Sequence, residues 1–175
     1  ALHGLVESAE TLAAQQDIDG LLRQLLHLAK KNTGARYTAL WVNGGTTHTA
    51  IQFLTAGIDD AAARAIRLLL TDQTARETLG QRNGALRLAH LRTHWAALGL
   101  PVDHDPMTSF LSVPIRCHDQ FFGHLFLTNK AMPQGLADDF SELDEQVVLT
   151  LAAQAGTAIQ NLQLLHDSKE QASRD

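Results

Sequence analysis

Two apolar runs, Phe110–Arg116 and Phe121–Thr128, stand on either side of His118-Asp119. So short a connection permits only antiparallel pairing, because parallel strands need a crossover of about a dozen residues or more. The hairpin therefore commits the second half of the chain to an antiparallel sheet. Side chains alternate along a strand. That alternation predicts Phe122, His124 and Phe126 on one face of the second strand, and Phe121, Leu125 and Leu127 on the other.

The elements around this hairpin follow from periodicity and punctuation. Leu2, Leu5, Val6, Ala9 and Leu12 recur at helical spacing, predicting an N-terminal helix over 1–16. Asp17 reads as an N-cap for a second helix that buries Leu21, Leu22, Leu25, Leu26 and Ala29. Asn32-Thr33-Gly34 stops it. Tyr37–Val42 and Thr46–Thr55 read as strands joined by the turn Asn43-Gly44-Gly45. Asp59 or Asp60 caps a short helix through Leu70, Thr74–Leu79 adds a turn or two of helix, and Leu86–Ala89 is a short strand. Residues 90–109 lack periodicity, and a connection that long inside a compact domain is usually functional or disordered.

A final helix is predicted over 139–170. Phe140, Leu143, Val147, Leu151, Ala155, Ile159, Leu162 and Leu165 keep close to 3-4 spacing along it. The stripe outruns what one small domain needs, so pairing with a second copy, a homodimer, or continuation into an effector domain is expected. Packing wholly within the monomer is the alternative. The order of elements implies one α+β domain over 1–175. Its central antiparallel sheet carries the terminal helices on one face and a loop-covered ligand pocket on the other.

Composition narrows the function. The 45% hydrophobic content can build a core without disulfides, and Cys117 is the sole cysteine, so a reducing, cytoplasmic setting fits. A net charge of −5 with no basic stripe argues against nucleic acid, and no apolar run suits a membrane span. The chain starts at Ala1 and reads as a segment of a longer protein. No phosphate-binding loop, nucleophile elbow or zinc-protease motif occurs, so a sensor or binding module is expected and not an enzyme.

Two motifs carry a resemblance. Asn129-Lys130, then Phe140, then Asp144-Glu145 resembles the Asn-Lys…Phe-x-x-x-Asp-Glu pattern of many GAF domains. Lys130 at a strand end is placed to pair with Asp144 in the first turns of the last helix, locking strand to helix. His104-Asp105-Pro106-Met107, followed by Phe110–Arg116, resembles the loop and strand that carry the proximal haem histidine in the haem-binding GAF domain of DosS/DosT (DevS) type gas and redox sensor kinases.

That resemblance implies haem b as cofactor and His104 as the iron ligand. Met107, Phe110, Phe122, His124 and Phe126 would line the cofactor. Pro106 restricts Asp105 and stiffens the loop, and Met107 is a soft filler for a porphyrin edge. The family's gas-facing tyrosine falls at Phe126, which keeps the ring and lacks the hydroxyl. Nitric oxide, carbon monoxide or redox state are thus favoured over dioxygen as the signal. His124 leaves a second ligand open, and ordinary sheet core remains the alternative for Phe122 and Phe126. His48, His90 and His94 have no zinc-motif spacing. Cys117 reads as an inert strand-end residue or, alternatively, a thiolate ligand or redox switch, and His118 as a solvated turn residue. Two other readings stay open: a GAF domain binding a cyclic nucleotide or small metabolite, and a ligand-free dimerisation domain.

Overall fold

The computed structural model describes residues 2–43, 51–56, 84–89 and 109–174. The predicted turn at Gly44-Gly45, the helices over 59–70 and 74–79, and His48, His90, His94, His104 and Met107 lie outside the described residues. Helices α1 (Leu2–Ala13) and α2 (Ile18–Thr33) are followed by strands β1 (Ala35–Asn43), β2 (Ile51–Ala56), β3 (Leu86–Ala89), β4 (Ser109–Cys117) and β5 (Gln120–Lys130), then helix α3 (Glu142–Arg174).

The strands form one antiparallel sheet in the order β2-β1-β5-β4-β3. The hairpin β4–β5 that anchors the sequence argument lies inside the sheet, flanked by β1 and β3. Leu40, Val113, Leu125 and their neighbours at period two join Leu12 of α1, Leu21–Leu26 of α2 and Val148–Ile159 of α3 in one buried cluster. All three helices thus cover the same sheet face, as the element order predicts.

Local chemistry explains where the helices start and stop. Asp17 Oδ1 accepts from the Gly20 N–H at 2.6 Å, so α2 begins there. Gly34 ends it with φ 80°, donating its N–H to the Lys30 carbonyl at 3.0 Å. Ser141 and Asp144 form a capping box. Ser141 N–H donates to Asp144 Oδ2 (2.8 Å), and Asp144 N–H donates to Ser141 Oγ (3.1 Å). The helix therefore starts at Glu142, later than the predicted 139.

Asp144 also accepts from Lys130 Nζ, the strand-to-helix lock expected from the sequence. With Asp144 turned inward, the buried stripe runs through Val148, Leu151, Ala152, Ala155 and Ile159. Leu143, predicted to open that stripe, is 66% exposed, and Val6 and Leu165 are exposed too. Arg87 ties β3 to the same corner, bonding Glu145 Oε1 at 3.1 Å and the Phe140 carbonyl at 3.2 Å. Among the described residues no helix is long and apolar enough to cross a membrane.

Two glycines permit close backbone approach. A Cβ on Gly123 would lie 1.9 Å from the Trp41 carbonyl oxygen, and one on Gly156 would lie 2.2 Å from that of Arg116. The first lets β1 pair with β5 beside an irregularity. The second seats α3 directly on the end of β4.

Candidate ligand-binding face

The sheet face away from the helices is built by residues that register brings together. His124 lies between Trp41 on β1 and Pro114 on β4, and Phe126 between Ala39 and Ser112. Phe110 stands opposite Thr128. Directly opposed residues share a face, so sequence positions as distant as Ala39 and Phe126 meet here. This face is buried as well: Phe126 is 2% exposed and His124 6%.

Its aromatic rings touch in sequence. Phe110 and Phe126 have centroids 6.1 Å apart, and Phe126 and His124 are also 6.1 Å apart. The His124 ring then meets Phe121 at 5.1 Å and Trp41 at 5.7 Å, both edge-to-face. Such contacts favour offset and T-shaped geometry because ring edges are positive and faces negative. With aromatics only 5% of the chain, this concentration on one face is selective.

Phe122 does not belong to this face, contrary to the alternation argument. Ile115 pairs with Gly123 and Arg116 with Phe121, so Phe122 is an extra residue in a β-bulge. The bulge breaks the period of two. Phe122 joins Leu125 and Leu127 in the helix-side core, and Phe121 takes its place beside His124. Phe110, His124 and Phe126 hold the predicted face. Trp41 and Phe121 were not anticipated as site residues. Gly123 inside a strand pattern was a usable signal for the bulge, whereas Trp41 meets His124 only through cross-strand register.

His124 is the chemically distinctive member. Burial, and secondarily the charge of Arg116, lower its pKa from 6.5 to about 4. Its ring is therefore neutral at ordinary pH. Its Nδ1 has no hydrogen-bond partner among the described residues, and neither has Thr128 Oγ1 on the same face. A buried polar group left without a partner costs about 1–3 kcal/mol. Two of them on one face suit a surface that receives polar atoms of a ligand.

The neutral ring predicts an acid sensitivity. Between pH 6.5 and about 4 the unfolded chain binds a proton at this residue and the folded chain does not. Stability from His124 is thus complete above pH 6.5 and is lost as pH falls toward 4. One proton costs 1.36 kcal/mol per pH unit, so the loss approaches about 3 kcal/mol. Denaturant unfolding of the wild type and His124→Phe at pH 7 and pH 4.5 should show the wild type losing more stability on acidification. Equal losses would mean that the ring protonates as readily in the folded state.

Cys117 faces the helix side, so its reading as a thiolate ligand for this face fails. It is buried, and its Sγ donates to Gln160 Oε1 of α3 at 2.9 Å. His118 sits exposed in the β4–β5 turn at φ 55°. Among the described residues no group of three or more His, Cys, Asp or Glu side chains converges as a metal site would require.

Comparison with known proteins places this geometry. The family model described as GAF domain matches residues 17–159. The fold is similar to the GAF domain of an Acinetobacter phosphoenolpyruvate-protein phosphotransferase, with TM-score 0.70 and 18% identity over 93% of this chain and 94% of that one. It is also similar to the GAF domain of a putative sensor histidine kinase from Pseudomonas syringae pv. tomato, with TM-score 0.64 and 18% identity over 99% and 92%. A third likeness is to a GAF domain/HD domain protein from Geobacter sulfurreducens, with TM-score 0.55 and 17% identity over 87% and 98%.

Proposed function

This chain belongs to the GAF domain family, and on that premise we propose that its second sheet face holds a b-type haem that reports a diatomic gas or redox state. GAF domains are regulatory sensor domains of signalling proteins, and this chain is one. The observation that carries the haem reading is the buried aromatic face with a neutral, unpartnered imidazole nitrogen on it. Phe110 and Phe126 offer the apolar surface a porphyrin needs, so these residues fit the group. Beside this stands the resemblance of the His104-Asp105-Pro106-Met107 segment, which assigns His104 as the axial ligand. Met107 would pack at the cofactor's edge.

Bound haem would supply an iron able to take up a diatomic gas or change oxidation state. The chain's own residues do the selecting. Phe126 excludes water and offers no hydrogen-bond donor, while the His124 ring stands beside it. Nitric oxide and carbon monoxide need no such donor, whereas dioxygen gains from one. A second copy pairing along the terminal helices and an effector domain receiving their displacement complete the reading, which places the protein in the cytoplasm.

A visible absorption spectrum of the domain purified with haem tests this directly. A Soret band with one haem per chain is expected. Its absence after reconstitution would leave a cyclic nucleotide or other metabolite as the ligand, or none. A hydrogen bond contributes about 0.5–1.5 kcal/mol, so Phe126→Tyr should raise dioxygen affinity several-fold and leave carbon monoxide affinity nearly unchanged. Equal effects on both gases would remove Phe126 from ligand selection.

A further inference from the structure

We infer that Arg116 anchors the anionic end of the ligand held on the second sheet face, a planar apolar molecule with a negatively charged group at its rim. This rests on the reading of that face as a ligand site. Ile115 and Cys117, the neighbours of Arg116 on β4, both enter the helix-side core, so alternation turns Arg116 to the other face. It pairs in register with Phe121, whose ring touches His124. Phe121 is 38% exposed and Arg116 is exposed, whereas Phe126 and Phe110 are buried. The guanidinium therefore stands where the aromatic face meets solvent.

Among the described residues nothing neutralises it. None of the five strands contains Asp or Glu. Among the described residues the ion pairs are Arg87–Glu145 and Lys130–Asp144, so Asp119 in the adjoining turn makes none with Arg116. A planar fork of N–H donors matches a carboxylate or similar oxyanion. The unpartnered His124 Nδ1 and Thr128 Oγ1 further inside mark the same face independently. The haem propionates are anionic groups of the right kind.

The test compares charged and uncharged versions of one ligand. The apo domain is titrated with haem and with haem dimethyl ester, for the wild type, Arg116→Gln and Arg116→Lys. At an exposed rim the pair is worth up to about 1 kcal/mol, so Arg116→Gln should weaken haem binding about five-fold. The ester should bind all three alike, and Arg116→Lys should retain most of the affinity for free haem. High salt should shrink the difference. Unchanged haem affinity in Arg116→Gln, or an equal loss for haem and ester, overturns the inference. If neither porphyrin binds the wild type, the haem reading fails by itself. The anchor is then tested with anilinonaphthalene sulfonate against the uncharged phenyl-naphthylamine. A loss confined to the sulfonate supports Arg116, and an equal response to both dyes sinks it.

Discussion

Gly156→Ala is expected to destabilise the domain by about 3 kcal/mol or more, at the upper end for overpacked sites. The direction is informative. In a helix with free space at this position, alanine would be favoured over glycine by about 1 kcal/mol. Here the added Cβ would meet the Arg116 carbonyl oxygen at 2.2 Å and its carbon at 2.6 Å. Both atoms are backbone near the end of a paired strand, so neither yields as a side chain would. For a domain of this size the melting temperature should fall by about 6–12 °C. Ala153→Ser, on the exposed side of α3, should stay within about 0.5 kcal/mol of wild type. A Gly156→Ala protein that melts at or above the wild-type temperature would mean that α3 stands farther from β4.

On the proposed haem reading, His104→Ala is expected to remove haem retention, turning stoichiometric binding into none detectable after gel filtration. Axial nitrogen ligation is the strong directed contact a b-type haem has with its protein. The rest, apolar packing and a rim ion pair worth up to about 1 kcal/mol, leaves haem free to exchange. His94→Ala and His118→Ala should keep the Soret band. Should His104→Ala keep it too, His124→Ala becomes the deciding variant, since its Nδ1 is the one described imidazole nitrogen that is buried and unpartnered. Loss of the band only in His124→Ala would move the iron to β5.

Much of the frame was legible because its signals are local. The cap at Asp17, the stop at Gly34 and the pairing of Lys130 with Asp144 each depend on a few residues with particular chemistry. The start of α3 was legible too, in Ser141-Glu142-Leu143-Asp144, but the apolar stripe drew the boundary earlier and put Leu143 inside. Alternation placed His124 and Phe126 correctly, since the β5 ladder is regular from Gly123 onward. It failed at Phe122, one residue before, where the bulge inserts an unpaired position. Trp41 was invisible as a site residue because its neighbour across the sheet is 83 positions away (Trp41 and His124). Register of that kind is set by packing of the whole sheet and leaves no mark in either segment alone. The same holds for Arg116, whose significance depends on strands that contain no acid.

Strand β4 presents Pro114 and Arg116 to the candidate ligand face, and Ile115 and Cys117 to the core beneath α3. Residues that would feel a ligand and residues that hold the helix thus alternate along one peptide chain, and α3 rests on that chain without an intervening side chain at Gly156. Reciprocity follows for any ligand that favours one seating of the strand over another. Such a ligand biases the helix by its difference in affinity for the two seatings, and no further. By the same thermodynamic cycle, whatever clamps the helix from outside must retune the ligand's affinity by an equal factor.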